Sequence, residues 1–242
     1  MDNFRFFALA YLNDWWQYDR TFVAGLSPGQ SVENRVKWLS EAANYYQVNR
    51  RFPGEEWERF GPVLDVLDAA TEELGVLTQS NVDKTVQNLA EKLGSIRETL
   101  IESRALTREK SASGSSVRPR EPSIEISAAS KFLWIRHKTP VVIYDDRAYK
   151  CLTGRLGCKI SVRNWPRSGY DSYREQWIKQ FDKREESIQL ACAELVRLKD
   201  FSPDDETEEN LKSTVTSRWF FERVFDKFLW WGGVGQLRVA VS

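Results

Sequence analysis

The sequence has few of the residues that build metal centres and disulfide frameworks. Its 242 residues include three cysteines, Cys151, Cys158 and Cys192, and a single histidine, His137. The cysteines are odd in number and lack CxxC spacing, which disfavours a disulfide framework and a zinc site. One histidine excludes a His-rich metal centre and makes any Ser-His-Asp triad depend on His137. The sequence therefore implies no metal and no organic cofactor.

Long apolar runs and an excess of one charge are also absent. No run reaches the roughly 18 apolar residues of a membrane span, so we expect no membrane partner. The N-terminal stretch has an acidic residue at position 2 and no small-residue cleavage site. It therefore does not read as a secretory signal, and the cytoplasm is the expected location. Thirty-five basic residues balance thirty-five acidic ones, so a nucleic-acid site has to come from a local patch.

Strand signals are scarce, whereas helical periodicity is frequent. Apolar residues between Val82 and Leu100 recur every three or four positions, which predicts an amphipathic helix. Ser172 and Glu175 have the spacing of a capping box, and Pro62 suits a first helical turn. The remaining helices are predicted at Phe4–Asp19, from about Val32 to Val48, after Pro62, over Ser127–His137, from Asp145, from Ser172 to about Lys199, and over Arg218–Trp231 up to Gly232-Gly233. We expect an all-α fold.

A polar, serine-rich and basic stretch interrupts the helical pattern between Arg104 and Glu121. Its length is typical of a linker, and its basic side chains suit either a solvated connection or contact with a phosphate backbone. These basic residues are Arg104, Arg108, Lys110, Arg118 and Arg120. We therefore divide the chain into an N-terminal helical lobe (1–104), a flexible basic linker (105–122) and a C-terminal helical lobe (123–242).

The segment from Ser123 to Lys150 carries the most specific chemical signal. A helix of small residues leads through an apolar connection containing Pro140 to Asp145, which begins the next helix. At a helix N-terminus, backbone donors and the helix dipole hold a carboxylate ionised. Such a carboxylate stabilises positive charge developing on a sugar, or activates a water molecule. An aspartate that only caps its helix is the alternative interpretation, and the two roles are compatible.

This segment resembles the second half of the helix-hairpin-helix DNA glycosylase superfamily, which includes 8-oxoguanine, adenine and alkyl-base glycosylases. In that family an apolar pair precedes an invariant aspartate, and Ile143-Tyr144-Asp145-Asp146-Arg147-Ala148 has the same order. The resemblance implies a two-lobed, glycosylase-like helical fold. It also implies excision of a base from DNA, with Asp145 in the catalytic position and Asp146 as the alternative register.

Two further site residues follow from the resemblance. Bifunctional members of the family carry a lysine upstream of the aspartate that forms a Schiff base, and Ser127 occupies the corresponding position here. The resemblance thus implies a monofunctional N-glycosylase, with Lys131, one helical turn further on, as a weaker candidate nucleophile. Arg147 either holds the acidic pair by a salt bridge or contacts a phosphate group.

The chain departs from the family at its hairpin. The family has a glycine-containing turn whose backbone amides bind DNA phosphate, and Glu121-Pro122-Ser123-Ile124-Glu125-Ile126 stands here instead. With zero net charge, this indicates a modified or damaged base rather than ordinary chromosomal DNA. Glycosylase-like proteins with divergent hairpins also occur in bacterial anti-phage defence loci, and the resemblance implies a role of that kind. The alternative hypothesis is an inactive protein of this fold that binds nucleic acid or docks a partner through its aromatic C-terminal helix.

Overall fold

The computed structural model describes residues 3–74, 76–109, 124–161 and 169–233. Every regular element in these ranges is a helix, so the predicted all-α class is confirmed. The α-helices are α1 (Phe4–Asp14), α2 (Arg20–Gly25), α3 (Val32–Tyr45), α4 (Glu56–Leu74), α5 (Val82–Glu109), α6 (Ile126–His137), α7 (Asp146–Lys150), α8 (Tyr170–Asp182), α9 (Glu185–Ala193), α10 (Glu208–Val215) and α11 (Arg218–Gly233). Turns of π-helix lie at Trp15–Asp19 and Cys151–Arg155, and 3-10 turns at Asn49–Arg51 and Glu194–Phe201. In the ranges described, no helix is both long enough and apolar enough to cross a membrane.

The chain forms two compact units. Unit 1 comprises Met1–Thr21 and Val142–Ser242, and unit 2 comprises Phe22–Val141. These bounds differ from the predicted lobes, 1–104 and 123–242. Helix α1 packs against α9 and α11 and so belongs with the C-terminal half, whereas α6 packs against α5 and belongs with the preceding helices.

The helix predicted from its apolar period is confirmed and is longer than expected. Helix α5 continues to Glu109, five residues into the predicted linker. Residues 104–109 contain neither glycine nor proline, so nothing in them breaks the helix. The rest of the predicted linker, including Lys110, Arg118 and Arg120, lies outside the described residues.

Two predicted helix starts are wrong. Helix α4 begins at Glu56, and Pro62 lies inside it; carboxylates in its first turn, those of Glu56 and Glu58, complement the helix dipole there. Helix α8 begins at Tyr170, and the hydroxyl of Ser172 accepts a hydrogen bond from the Ser161 backbone N–H instead of capping the helix. The long helix predicted to reach Lys199 is broken between α8 and α9.

Unit 2 is built from α3 to α6, each packed against the next. Ser31 caps α3 by accepting a hydrogen bond from the Asn34 N–H. Helix α6 is buried around most of its circumference, with Phe132, Leu133 and Trp134 almost wholly inaccessible. This helix is therefore a core element of unit 2.

Unit 1 is organised around α11, which packs against α1, α7 and α9. Its buried phenylalanines include Phe225, which contacts the rings of Trp177 and Phe181 on α8. The predicted helix is confirmed, but its two terminal glycines belong to it. A Cβ atom on Gly233 would lie 1.9 Å from the backbone oxygen of Arg147, so glycine permits the close approach of α11 to α7.

Candidate active site at Asp145

Asp145 is the N-cap of α7, as the sequence predicts. Its backbone is extended, with φ −143° and ψ 139°. One carboxylate oxygen, Oδ1, accepts a hydrogen bond of 2.9 Å from the backbone N–H of Arg147. The side chain is partly exposed. Asp145 thus presents an oriented carboxylate at the start of a helix, where the positive end of the helix dipole favours its charge.

Two tyrosines of α8 fix the connection that leads to Asp145. The hydroxyl of Tyr170 donates to the carbonyl of Val142 at 2.7 Å and accepts from its N–H at 3.2 Å. The hydroxyl of Tyr173 donates to the carbonyl of Ile143 at 3.0 Å. These bonds satisfy buried backbone groups that no strand partner satisfies. They set the direction in which the chain enters α7.

Asp146, the alternative acid, has different surroundings. It is exposed, and its Oδ1 accepts a hydrogen bond of 2.9 Å from the hydroxyl of Tyr144. Burial raises the pKa of Tyr144, and the charge of Asp146 raises it further. Tyr144 therefore remains a neutral donor to Asp146 at physiological pH. Asp145 is bonded to helix backbone, whereas Asp146 is bonded to a side chain.

Helix α7 also carries exposed cations. Arg147 and Lys150 are both exposed. The guanidinium of Arg147 lies over the ring of Trp230, 4.2 Å from its centroid, which holds the cation beside the acidic pair. Trp230 is 36% exposed. Most other aromatic side chains of α11 are buried within unit 1, so a partner could meet few of them.

The structure brings Ser127 and Lys131 together in unit 2. They lie one turn apart on α6, and the ammonium of Lys131 donates to the Ser127 hydroxyl at 3.0 Å. Lys131 also donates to the carbonyl of Tyr46 at 3.4 Å and is only 5% exposed. The sequence-predicted residues therefore form two groups. Ser127 and Lys131 are in unit 2, and Asp145 and its neighbours are in unit 1.

The divergent hairpin places a carboxylate in the interior of unit 2. Glu125 is buried, with Arg97 Nε at 3.5 Å and Arg51 Nε at 3.7 Å from its oxygens. Its backbone N–H donates to the carbonyl of Ala90, so this amide is already used within the protein. Of the predicted basic residues, Arg104 is exposed on α5, and Arg108 lies near the end of that helix.

A buried polar cluster on α11 was missed from the sequence. Asp226 accepts from the indole N–H of Trp177 at 2.9 Å and from Arg223 at 3.0 Å. Arg223 also lies 3.5 Å from Asp19, which accepts from Tyr11. The sequence does contain a signal for such a cluster, since a strongly aromatic helix carries the charged residues Glu222, Arg223 and Asp226. Charged side chains are rarely buried without partners.

Burial changes the acidity of this cluster. It raises the pKa of Asp226 to about 6, and the nearby Asp145 carboxylate adds to the rise while Arg223 and Trp177 oppose it. Burial also raises the pKa of Glu222 to about 7, against the opposing effect of Arg218. Both carboxyl groups thus change charge near neutral pH, a property common among functional carboxylates.

His137 and the cysteines do not join these groups. The ring Nε2 of His137 lies 3.3 Å from the Thr71 hydroxyl in unit 2, and burial beside Arg136 lowers its pKa. None of the three cysteines forms a disulfide. In the part of the chain that the structure describes, no three His, Cys, Asp or Glu side chains are grouped as metal ligands.

No protein-family model matches the chain, and no similar protein was found among curated proteins or among solved structures. The glycosylase resemblance consequently rests on the Ser123 to Lys150 segment alone.

Proposed function

We propose that the protein is a glycosylase-like hydrolase that cleaves the N-glycosidic bond of a modified or damaged base in DNA, on a helix-hairpin-helix glycosylase-like fold. The observation that carries the proposal is the geometry of Asp145. It caps a helix, its Oδ1 is oriented by the Arg147 N–H, and it follows a connection fixed by two tyrosine hydroxyls. A carboxylate preorganised in this way stabilises charge without reorganising during the reaction.

In the proposed reaction the target nucleotide leaves the stack or is presented single-stranded. As the bond to the base weakens, positive charge develops on the sugar ring, and the ionised Asp145 stabilises it. A water molecule, oriented by the same carboxylate, then adds to the sugar carbon and loses its proton to the solvent or the carboxylate. The base departs with the bonding electron pair and is protonated.

Exposed Arg147 and Lys150 supply contacts to the phosphate backbone in this proposal. The family hairpin is replaced, and the Glu125 N–H is bonded to Ala90, so we assign part of the anchoring to α7. By the resemblance, Ser127 stands at the sequence position of the lyase lysine. Lys131, buried and bonded to Ser127, keeps its amine within the protein. Borohydride should therefore trap little covalent protein–DNA complex.

The proposal is tested by base release from single-stranded and duplex oligonucleotides carrying oxidised, alkylated, deaminated or hypermodified bases. Wild type is compared with Asp145→Asn and with Asp146→Asn as the matched control. We expect release to be lost in Asp145→Asn and retained in Asp146→Asn. Loss in Asp146→Asn alone would assign the reaction to the other register. Absence of release from every substrate by wild type would overturn the proposed reaction.

The phosphate contact is tested separately by DNA binding at several salt concentrations. Arg147→Ala should weaken binding and reduce the slope of log K against log salt by roughly 1, as expected for one lost phosphate contact. Arg197, an exposed arginine on the 3-10 turn of unit 1, provides the control. Equal slopes for Arg147→Ala and Arg197→Ala would contradict a specific contact by Arg147.

A further inference from the structure

Asp226 lies on the same face of α11 as the residues that contact α7. Asp226, Trp230 and Gly233 are spaced by four and three residues, which places them on one side of the helix. Two of them meet α7 at Arg147, since Trp230 contacts its guanidinium and Gly233 approaches its carbonyl. The third position on this face is Asp226, and Asp145, the N-cap of α7, lies two residues before Arg147.

Helix α8 joins the two acids from the other side. Tyr173 and Trp177 are one turn apart on this helix. Tyr173 donates to the carbonyl of Ile143, two residues before Asp145, and Trp177 donates to Asp226 Oδ1. One face of α8 therefore holds both the backbone that carries Asp145 and the side chain of Asp226.

We infer that Asp226 is a positioning residue of the Asp145 site, and that gain or loss of its proton sets the electric field in which Asp145 works. This role rests on the proposed function. The electrostatic coupling between the two carboxyl groups can be measured whether or not the protein is a glycosylase. The Asp226 side chain has a fixed position, because it is only 12% exposed and its oxygens accept hydrogen bonds from Trp177 and Arg223.

The charges around Asp226 agree with this role. Arg223 of the same helix is shared with Asp19, so it only partly compensates Asp226. From α7, the Asp145 carboxylate raises the pKa of both Asp226 and Tyr173. On α11 itself, Asp226 raises the pKa of Glu222, on which the α8 residue Arg174 acts in the opposite direction. A proton on Asp226 below about pH 6 removes one negative charge from beside Asp145.

Trp177 provides a direct reporter of this proton. The protein has ten tryptophans, so the indole N–H resonance of Trp177 is first identified by its loss in Trp177→Phe. Its chemical shift is then followed against pH by NMR. In wild type it should titrate with a midpoint near pH 6. In Asp145→Asn the midpoint should move to lower pH, because a like charge that favoured the protonated form of Asp226 has been removed. Asparagine caps a helix as well as aspartate does, so the fold is kept.

Asp146→Asn is the control, since it removes the adjacent exposed carboxylate and should leave the midpoint near its wild-type value. Equal midpoints in wild type and Asp145→Asn, or no titration in wild type, would overturn the inference.

Base release separates this result from the proposed function. Where release occurs, its pH profile should have an inflection near pH 6 that Asp226→Asn removes, and an unchanged profile would also overturn the inference. A shifted Trp177 midpoint with no release would support the coupling and contradict the glycosylase reaction.

Discussion

Unit 2 surrounds a buried carboxylate with arginines, whereas unit 1 surrounds a buried arginine with carboxylates. In unit 2, Glu125 has Arg97 and Arg51 within 3.7 Å. In unit 1, the roles are exchanged at Arg223, and the carboxylates outnumber the guanidinium that they share. Because burial penalises an uncompensated charge, the two arrangements respond differently to pH and to mutation.

The unit 1 cluster illustrates the consequence. Asp19 is fully buried and lies 3.5 Å from Arg223, while Asp226 lies 3.0 Å from the same side chain. One guanidinium cannot fully compensate two carboxylates, and Asp226 has a raised pKa. Glu222 is also buried, with its Oε2 lacking a hydrogen-bond partner. Unit 1 therefore contains carboxyl groups that take up protons near neutral pH, whereas unit 2 holds its buried glutamate between cations.

Loss of the shared Arg223 should lower the stability of the protein more than any other change considered. Arg223→Met should lower the free energy of unfolding by about 3–5 kcal/mol, because it leaves two buried carboxylates without their cation. In unit 2, Arg97→Met still leaves Glu125 with Arg51 and should cost about 1–2 kcal/mol. Urea unfolding of both variants measures the difference. Equal losses would remove the contrast between the units.

The second prediction concerns pH and Glu222. Its folded-state pKa of about 7 exceeds the ordinary value of 4.5, so the folded protein binds the proton more tightly than the unfolded chain. Its contribution to stability is therefore full below about pH 4.5 and is lost as the pH rises through 7. The loss is of order 3 kcal/mol, from about 1.4 kcal/mol per pKa unit.

Glu222→Gln should remove this part of the pH dependence. The measurement is urea unfolding at pH 5 and pH 8 for wild type, Glu222→Gln and the exposed control Glu186→Gln. The drop in stability between the two pH values should be smaller in Glu222→Gln than in the other two proteins. A drop of the same size in all three would show that Glu222 is not the group responsible.

Close glycine contacts should also differ between the units. Gly233→Ala drives a methyl group into the backbone of Arg147, whereas Gly25→Ala meets the side chain of Trp38 at 2.2 Å. Backbone moves less easily than a half-buried ring. We expect losses of about 2–3 kcal/mol for Gly233→Ala and about 1 kcal/mol for Gly25→Ala. Thermal unfolding decides the order, and the reverse order would contradict the close packing of α7 on α11.

Removing a helix cap should have the smallest effect on stability, and the cost should be the same in both units. Ser31 caps α3 in unit 2, and Thr207 caps α10 in unit 1, each accepting a bond from the backbone N–H three residues later. Ser31→Ala and Thr207→Ala should each cost about 1 kcal/mol, as typical helix caps do. Chemical denaturation measures both. A cost several times larger in one unit would mean that the units differ in more than their buried charges.

Local sequence patterns predicted much of this fold. The period of apolar residues predicts α5, the small-residue segment predicts α6, and Asp145 is predicted as the start of α7, all as the structure has them. These features depend on neighbours in sequence, which periodicity and capping describe. Pro62 is an exception, because proline suits a first helical turn and the local pattern does not show that α4 begins earlier, at Glu56.

The polar cluster of unit 1 could not be assembled from the sequence. Asp19, Trp177 and Asp226 meet only because three distant segments pack together, and no local pattern encodes such contacts. Ser127 and Lys131 are a different case, since their spacing of four residues predicts that they meet on a helix. Local features, the cap of α7 and the contact between Ser127 and Lys131 on α6, could therefore be predicted from the sequence, whereas contacts between distant segments could not.

We propose that Asp145 does more than cap α7. The most direct measurement pairs single-turnover base release with the melting temperature in Asp145→Asn, on whichever substrate wild type cleaves. Since asparagine is an equally good cap, we expect a melting temperature close to that of wild type. Release should fall by a factor of about 100 or more, the range of a lost charge-stabilising group. Release at the wild-type rate with an intact fold would reduce Asp145 to a helix cap and contradict the account.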